Sequence, residues 1–373
     1  MPHTLIIGGT GPTGREIVGG LLDRGHDVSL LHTGQHEIEM PGPVEHIHTD
    51  PHFREPLADS LAGRRFDAVI ATYGRVRVVA DVVAGCTNRL ITVSGSSYAG
   101  ARDTRWGPLG VPMLVREDAS VPQDVPADRA IPHKAWVTEQ YLQGLHNEGR
   151  LSVTTIRYPI IYGPGAPANP DWGIVRRALD NRRTLLLGDG GRRVRNRGFG
   201  PNVALAALLA VDNPVVSHGK IYNVADVVQY TQRAIAEYIA ELLGHEFDII
   251  DIPGDLAAQL YRDGAFDDVG YYAYDTSDIQ RDLGYIDSVP VTEAIARSIE
   301  WLVANPIARG GEIERQVGDA FNYELEDQLA SIYRDAHAQA SQRDLPAGER
   351  AHMYRHPTKP FEVWTDASAP GSS

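Results

Sequence analysis

Gly8-Gly9-Thr10-Gly11-Pro12-Thr13-Gly14 is the segment of this 373-residue chain whose residue types point most directly to chemistry. Both Gly9-x-Gly11-x-x-Gly14 and Gly8-x-x-Gly11-x-x-Gly14 can be read in it. Glycines permit a tight turn and let a diphosphate approach the backbone. A helix opening just behind them offers free N–H groups and a partial positive charge. Pro12 near that opening removes only a donor that would be unpaired anyway. Gly8, Thr10, Gly11, Pro12, Thr13 and Gly14 are therefore expected to hold the phosphates of a dinucleotide, NAD or NADP. An acid about 20 residues on would select the ribose hydroxyl of NAD, and an Arg the 2′-phosphate of NADP. Leu30-Leu31-His32-Thr33-Gly34 has neither, so His32 is the candidate there and the two coenzymes are not separated.

Other reactive residues are more scattered. Seven of the 14 histidines precede residue 53. His46 and His48 are two apart, so a strand would present both on one face. No acid or third histidine is fixed beside them by spacing, and no metal site is assigned. Glu117 and Asp118 are carboxylates that could do acid–base work, or that simply solvate a loop. Arg192-Arg193-Val194-Arg195-Asn196-Arg197 is the densest basic run of an acidic chain, and a solvated basic loop accounts for it. The single cysteine, Cys86, has no partner for a disulfide, and a Cys-rich zinc site is excluded.

The elements that must position these residues follow one rhythm over residues 1–95. Short apolar runs at 4–7, 28–31, 45–48, 66–71 and 89–93 alternate with helical patterns at 12–24, 55–61 and 76–84. Strands alternating with helices predict parallel βαβ units, and uninterrupted runs such as Ala68-Val69-Ile70-Ala71 fit a sheet covered on both faces. Residues 99–130 are rich in Pro and charge and read as a long loop. A helix at 133–147 and a strand at 152–156 follow. After residue 163 the pattern shifts to shorter elements, with helices expected at 173–181, 202–211, 231–243 and 291–304. Residues 312–342 carry an amphipathic pattern that fits one long helix or two. The fold class is α/β: a Rossmann-type doubly wound parallel sheet with a smaller C-terminal α+β substrate lobe. The expected units are residues 1–163, with some later segments returning to them, 164–310, and a helical extension and tail at 311–373.

Composition narrows the function classes. The 35 basic and 49 acidic residues give a net charge of −14, which disfavours nucleic acid and anionic membrane surfaces as partners. No apolar stretch is long enough to span a bilayer. The N-terminus enters its first apolar run without a basic leader, so a cytoplasmic location is expected. The expected partner is a small-molecule substrate, and a homodimer is compatible with the sequence.

Taken in order, these segments resemble the extended short-chain dehydrogenases/reductases, the family of NAD-dependent sugar epimerases and dehydratases. The likeness runs from residue 4 to about residue 304. His48-Thr49-Asp50 resembles the stretch whose Asp holds the adenine. Val93-Ser94-Gly95-Ser96-Ser97-Tyr98 resembles the Ser-rich strand end where a hydroxyl binds the substrate oxygen. His133-Lys134-Ala135-Trp136 resembles the helix bearing the catalytic lysine. Arg157-Tyr158-Pro159-Ile160-Ile161-Tyr162-Gly163-Pro164 resembles the segment that turns toward the nicotinamide and the substrate lobe. Arg197-Gly198-Phe199 resembles part of the family's diphosphate-binding segment. The resemblance thus implies Lys134, Ser94 and Tyr98 as catalytic candidates. It adds Asp50, Lys134 and Tyr158 to the coenzyme contacts, and Ser96, Tyr162 and Arg197 to the substrate contacts.

One departure bears on the chemistry. The family signature is Tyr-x-x-x-Lys, and counting back from Lys134 puts Ala130 at the tyrosine position. The usual reaction needs a phenol, ordinarily of pKa about 10, lowered enough to pass a proton near neutrality. Alanine cannot, whereas a lysine can still bind ribose hydroxyls. The resemblance implies an NAD(P)-dependent oxidoreductase, epimerase or dehydratase acting on a sugar nucleotide or secondary metabolite, with a non-standard proton-transfer residue. The same residues leave room for a non-redox isomerase, lyase or cyclase. They also leave room for a non-enzymatic dinucleotide sensor docking through residues 312–342.

Overall fold

A computed structural model of the chain describes residues 1–95, 114–119, 130–261 and 273–344, with isolated positions beyond; at 130–133 only the backbone is described. The first half builds β1 (His3–Ile7), α1 (Gly14–Asp23), β2 (Asp27–His32), β3 (Glu45–His48), α2 (Arg54–Leu61), β4 (Ala68–Ala71), α3 (Val76–Val83) and β5 (Arg89–Ser94). Then come β6 (Leu114–Val115), α4 (Ala130–Asn147), β7 (Ser152–Arg157), β8 (Ile160–Tyr162), α5 (Trp172–Leu179), β9 (Thr184–Gly188), β10 (Arg197–Phe199), α6 (Gly200–Asp212) and β11 (Ile221–Asn223). The chain continues through α7 (Gln232–Leu243), β12 (Asp248–Ile252), α8 (Gly254–Leu260), β13 (Ala273–Tyr274), α9 (Ser277–Leu283), α10 (Val291–Ala304), α11 (Glu312–Gln316) and α12 (Tyr323–Ser341).

Seven strands form one parallel sheet in the order β11-β7-β5-β4-β1-β2-β3. The order reverses between β1 and β4, which is where a doubly wound sheet opens a crevice at its strand ends. The apolar runs are buried as a two-faced sheet requires: every residue of β4 is inaccessible or nearly so. Helix α1 lays Ile17, Val18 and Leu21 into one face. The opposite face takes Leu142 and Leu145 of α4 with Val79 and Val83 of α3.

Later segments return to this sheet. β11 adds its seventh strand beside β7, and α6 packs Ala204 and Ala207 into the cluster that holds α1. Arg89, buried at the start of β5, joins these pieces by donating to Ser152, Thr154, the Ala210 carbonyl and Ser217. It has no ion pair among the described residues, and burial lowers its guanidinium to about 10.

The smaller lobe has its own core around Trp172, the β9–β12 pair, α7 and α10. Helix α7 starts at Thr231, whose hydroxyl accepts from Ala234 N–H, and ends at Gly244 in the left-handed region. The amphipathic pattern at 312–342 resolves into two helices. The chain breaks between them at Gly318 (φ 77°) and Phe321 (φ 48°). Val317 and Ala330 are buried in the lobe core, so these helices pack on the lobe. Arg177 of α5 locks them there: its fully buried guanidinium pairs with Asp319 at 2.6 Å and with Glu326.

Candidate functional site

The crevice at the β1/β4 reversal is where the glycine segment lies. Gly8 and Gly9 have φ of 102° and 80°, a region that side chains rarely enter. A Cβ on Gly8 would sit 2.6 Å from Thr72 Oγ1, and one on Gly14 only 1.9 Å from the Gly9 carbonyl oxygen. Gly8 N–H donates to the Leu31 carbonyl at 2.8 Å, and Gly9 N–H to Thr72 Oγ1 at 3.3 Å. The turn is thus compressed against β2 and β4. Gly11 differs, because a Cβ there would meet nothing within 4 Å. That open side faces away from the packed backbone, and the α1 N-cap, Thr13, makes no side-chain cap. A cradle of glycine backbone ahead of an uncapped helix start fits a bound diphosphate. From the far side, Tyr158 directs its hydroxyl to Thr13 Oγ1 at 3.4 Å, and burial raises that phenol to about 12.

A second group of residues meets across a cleft of about 580 Å³ between α3, α4 and the end of β5. Ser94, Gly95, Lys134, Thr138 and Tyr141 line it. Lys134 is exposed on the first turns of α4. Ser94 is 8% exposed, and its hydroxyl donates to the Gly95 carbonyl at 3.1 Å. Tyr141, two turns beyond Lys134, donates to Asp81, whose carboxylate raises the phenol further. The structure therefore brings Ser94 and Lys134 to one cleft. Ser96 and Tyr98 lie outside the described residues.

Helix α4 owes its position to a pair that sequence reasoning did not single out. Glu139 takes a two-pronged grip from Arg157 at the end of β7, with Nε–Oε1 2.9 Å and Nη2–Oε2 2.8 Å. Both side chains are buried, at 1% and 4% exposure. Arg157 also donates to the Glu117 carbonyl at 3.2 Å. The Glu117 carboxylate accepts from Asn223 N–H at 2.8 Å, and burial raises its pKa. Glu117 is therefore tied to β11, while Asp118 is largely exposed beside Arg116.

The remaining candidates fall in two places. Asp50 accepts from the backbone and ring of His52, at 2.9 and 2.8 Å, and those bonds lower its carboxyl. His32 is buried at the end of β2, and its ring contacts those of His46 and His48. Burial, followed by the two neighbouring imidazoles, lowers its pKa. Tyr162 and Arg197 sit on the paired strands β8 and β10. Tyr162 is fully buried and donates to Asp226 at 2.8 Å. Arg197 stacks 4.1 Å from that ring and grips both oxygens of Asp171 at 2.9 and 2.7 Å. Burial and Asp226 push the Tyr162 phenol far up. Arg197 also borders a narrow cleft with Arg195, Tyr230 and Gln232.

Comparison with known proteins supports the resemblance read from the sequence. Residues 133–225 match the NAD dependent epimerase/dehydratase family. An uncharacterised protein of Sinorhizobium fredii is 25% identical over 178 residues, 42% of this chain and 48% of that protein. The chain thus spans about half the length of that relative. A 3-diazoavenalumate denitrifying reductase from a Streptomyces species is 28% identical over 227 residues, 57% of this chain and 72% of that enzyme. Among solved structures, a dTDP-glucose 4,6-dehydratase from Streptomyces venezuelae, crystallised with NAD, superposes with a TM-score of 0.62. It is 18% identical, and the match covers 81% of this chain and 97% of that one. The Rossmann architecture is therefore that of the epimerase/dehydratase structures. No helix among the described residues is long and apolar enough to cross a membrane.

Proposed function

We propose, with the epimerase/dehydratase relationship of residues 133–225 as premise, that the chain binds NAD or NADP and acts as an epimerase- or dehydratase-type oxidoreductase. Its substrate is a small hydroxylated or carbonyl compound, a sugar nucleotide or a secondary metabolite. The names of the similar dehydratase and reductase favour that class. The observation that carries the reading is the pairing of two features at one sheet edge. A compressed glycine turn, open at Gly11, stands at the β1/β4 reversal, and Ser94 and Lys134 share a cleft at the end of neighbouring β5.

When bound, the coenzyme supplies a nicotinamide ring able to take up or return hydride. The chain's own residues have distinct tasks. Gly8, Thr10, Gly11, Pro12, Thr13 and Gly14 hold the pyrophosphate against the α1 N-terminus. His32 and Asp50 flank the adenosine end, and Tyr158 closes the loop from behind. The Lys134 ammonium hydrogen-bonds ribose hydroxyls. Ser94 Oγ, free to rotate from the Gly95 carbonyl, donates to the substrate oxygen. Ser96 belongs to the substrate side; Tyr162 and Arg197, buried and committed to Asp226 and Asp171, support it from within the smaller lobe; and Tyr98 is the candidate to carry the proton that no group at Ala130 can carry.

Fluorescence titration of the purified chain with NADH and NADPH tests this reading. Saturable binding of one or both is expected. Lys134→Ala should weaken it without shifting the melting temperature, because that side chain is exposed. Absence of binding to either coenzyme at millimolar concentration overturns the proposal. The alanine at position 130 favours a second reading, a non-redox isomerase, lyase or cyclase. That reading expects turnover to survive Lys134→Ala.

A further inference from the structure

Parallel pairing of β2 with β3 sets His32 directly beside His48, with His46 two residues back on β3, opposite Leu30. The three rings form a triangle, with centroids 4.9, 5.1 and 6.1 Å apart. His32 Nε2 and His46 Nδ1 are 2.9 Å apart. Glu37, from the segment joining the two strands, closes the group with its carboxylate 3.1 Å from His48 Nε2. One ligand atom from each of the four residues lies within 4.8 Å of every other.

We propose that His32, Glu37, His46 and His48 form a binding site for a first-row transition metal of the zinc class. Bonds of about 2.0–2.1 Å to imidazole nitrogen and carboxylate oxygen put tetrahedral ligand atoms about 3.3 Å apart. The observed pairs at 2.9 and 3.1 Å already stand close to that edge length. Three imidazoles with one carboxylate select a borderline cation, since magnesium and calcium prefer all-oxygen shells. Four protein ligands fill a tetrahedron, which is the pattern of a structural site with no open position for substrate. The chemistry also requires uncharged imidazoles, and His32 is buried against the rings of His46 and His48.

Coordination has one local consequence. Gly34 N–H donates to His32 Nδ1 at 3.2 Å. A ring bound to metal through Nε2 carries its proton on Nδ1, so that bond is exchanged for the metal bond. The site would fasten the segment between β2 and β3 to the sheet. It does so one residue from Leu31, whose carbonyl holds Gly8 of the glycine turn. The inference needs no bound dinucleotide; it shares only His32 with the reading above, and the residues varied in its test, His46, His48 and His36, have no part in that reading.

The test uses the full chain, freed of any histidine tag and stripped with a chelator. Cobalt(II) titration should raise the intense visible bands of a tetrahedral ion and saturate at one equivalent. Zinc should then displace the cobalt. His46→Ala and His48→Ala, both exposed positions, should each weaken zinc binding by at least ~10-fold in competition with a chromophoric chelator. His36→Ala, in the same segment but outside the cluster, should leave it unchanged. Octahedral, weakly coloured cobalt would overturn the proposal. So would zinc affinity unaltered in the His46/His48 double variant, or an equal loss in His36→Ala. Near-identical circular dichroism spectra keep these outcomes separate from unfolding.

Discussion

Replacing Glu139 by Gln tests whether the buried pair, rather than helix propensity, fixes α4 and with it Lys134. Gln is nearly isosteric, so the change removes charge and little volume. Arg157 then keeps its guanidinium, 4% exposed, and loses the charged oxygens that its Nε and Nη2 grip. Removing one partner of a buried pair costs about 3–5 kcal/mol, because the other charge stays desolvated. Unfolding entropy near the midpoint is about 2.1 cal/mol/K per residue, so this chain length gives roughly 0.8 kcal/mol/K. The expected fall in melting temperature by differential scanning calorimetry is therefore about 4–6 °C. Coenzyme affinity should drop in parallel, since Lys134 rides on the same helix. The double variant Glu139→Leu/Arg157→Met should recover most of the stability, because an apolar pair removes both buried charges. A Glu139→Gln protein melting within ~1 °C of the parent refutes the reasoning, since the error of a ΔTm is smaller than the expected shift.

Two further outcomes follow from the geometry. Gly14→Ala forces a methyl to within 1.9 Å of the Gly9 carbonyl. Overpacking of that kind costs about 1–3 kcal/mol, so coenzyme affinity should fall by roughly 5–150-fold if the turn absorbs the strain. Unchanged affinity and unchanged melting temperature together would count against the cradle. Asp287 has its carboxyl raised from 3.8 to about 6, first by burial and then by Asp226. The folded state therefore favours the protonated form. That contribution is complete below the unfolded value of 3.8 and is lost as pH rises through about 6. Asp287→Asn stays neutral and can still accept from Val227 N–H. Its melting temperature relative to the parent should rise as the buffer moves from about pH 4 to about pH 7. Parallel melting curves across that range would show that the burial is not felt.

The sheet was legible in the sequence because its strands are two-sided. A run such as Ala68-Val69-Ile70-Ala71 has nowhere to go except the middle of a parallel sheet. The same holds for α10, whose bounds at Val291 and Ala304 follow from its stripe and the Asn305-Pro306 stop. Long-range partners were not legible. Nothing local says that Glu139 meets Arg157, or that Glu117 ends on the amide of Asn223. The histidine group was half visible: His46 and His48 announce a shared strand face. The third imidazole and the carboxylate appear only once β2 and β3 are paired in register. At residues 312–342 the helical period ran on across a real break, because Val317 and Phe321 both turn inward on either side of Gly318. Tyr98 and Ser96, named for the proton and the substrate oxygen, fall where no geometry is described.

Helix α6 begins at the residue after β10, and Gly200 at its first position would drive a Cβ to 2.6 Å from the Pro12 carbonyl. One continuous stretch of chain thus serves as wall for the smaller lobe and as buttress for the glycine turn. A rocking movement that pulled β10 outward would drag on the backbone beneath Pro12. Under the proposed function, an opening of the lobe to substrate would have to hinge at a seam that spares this junction.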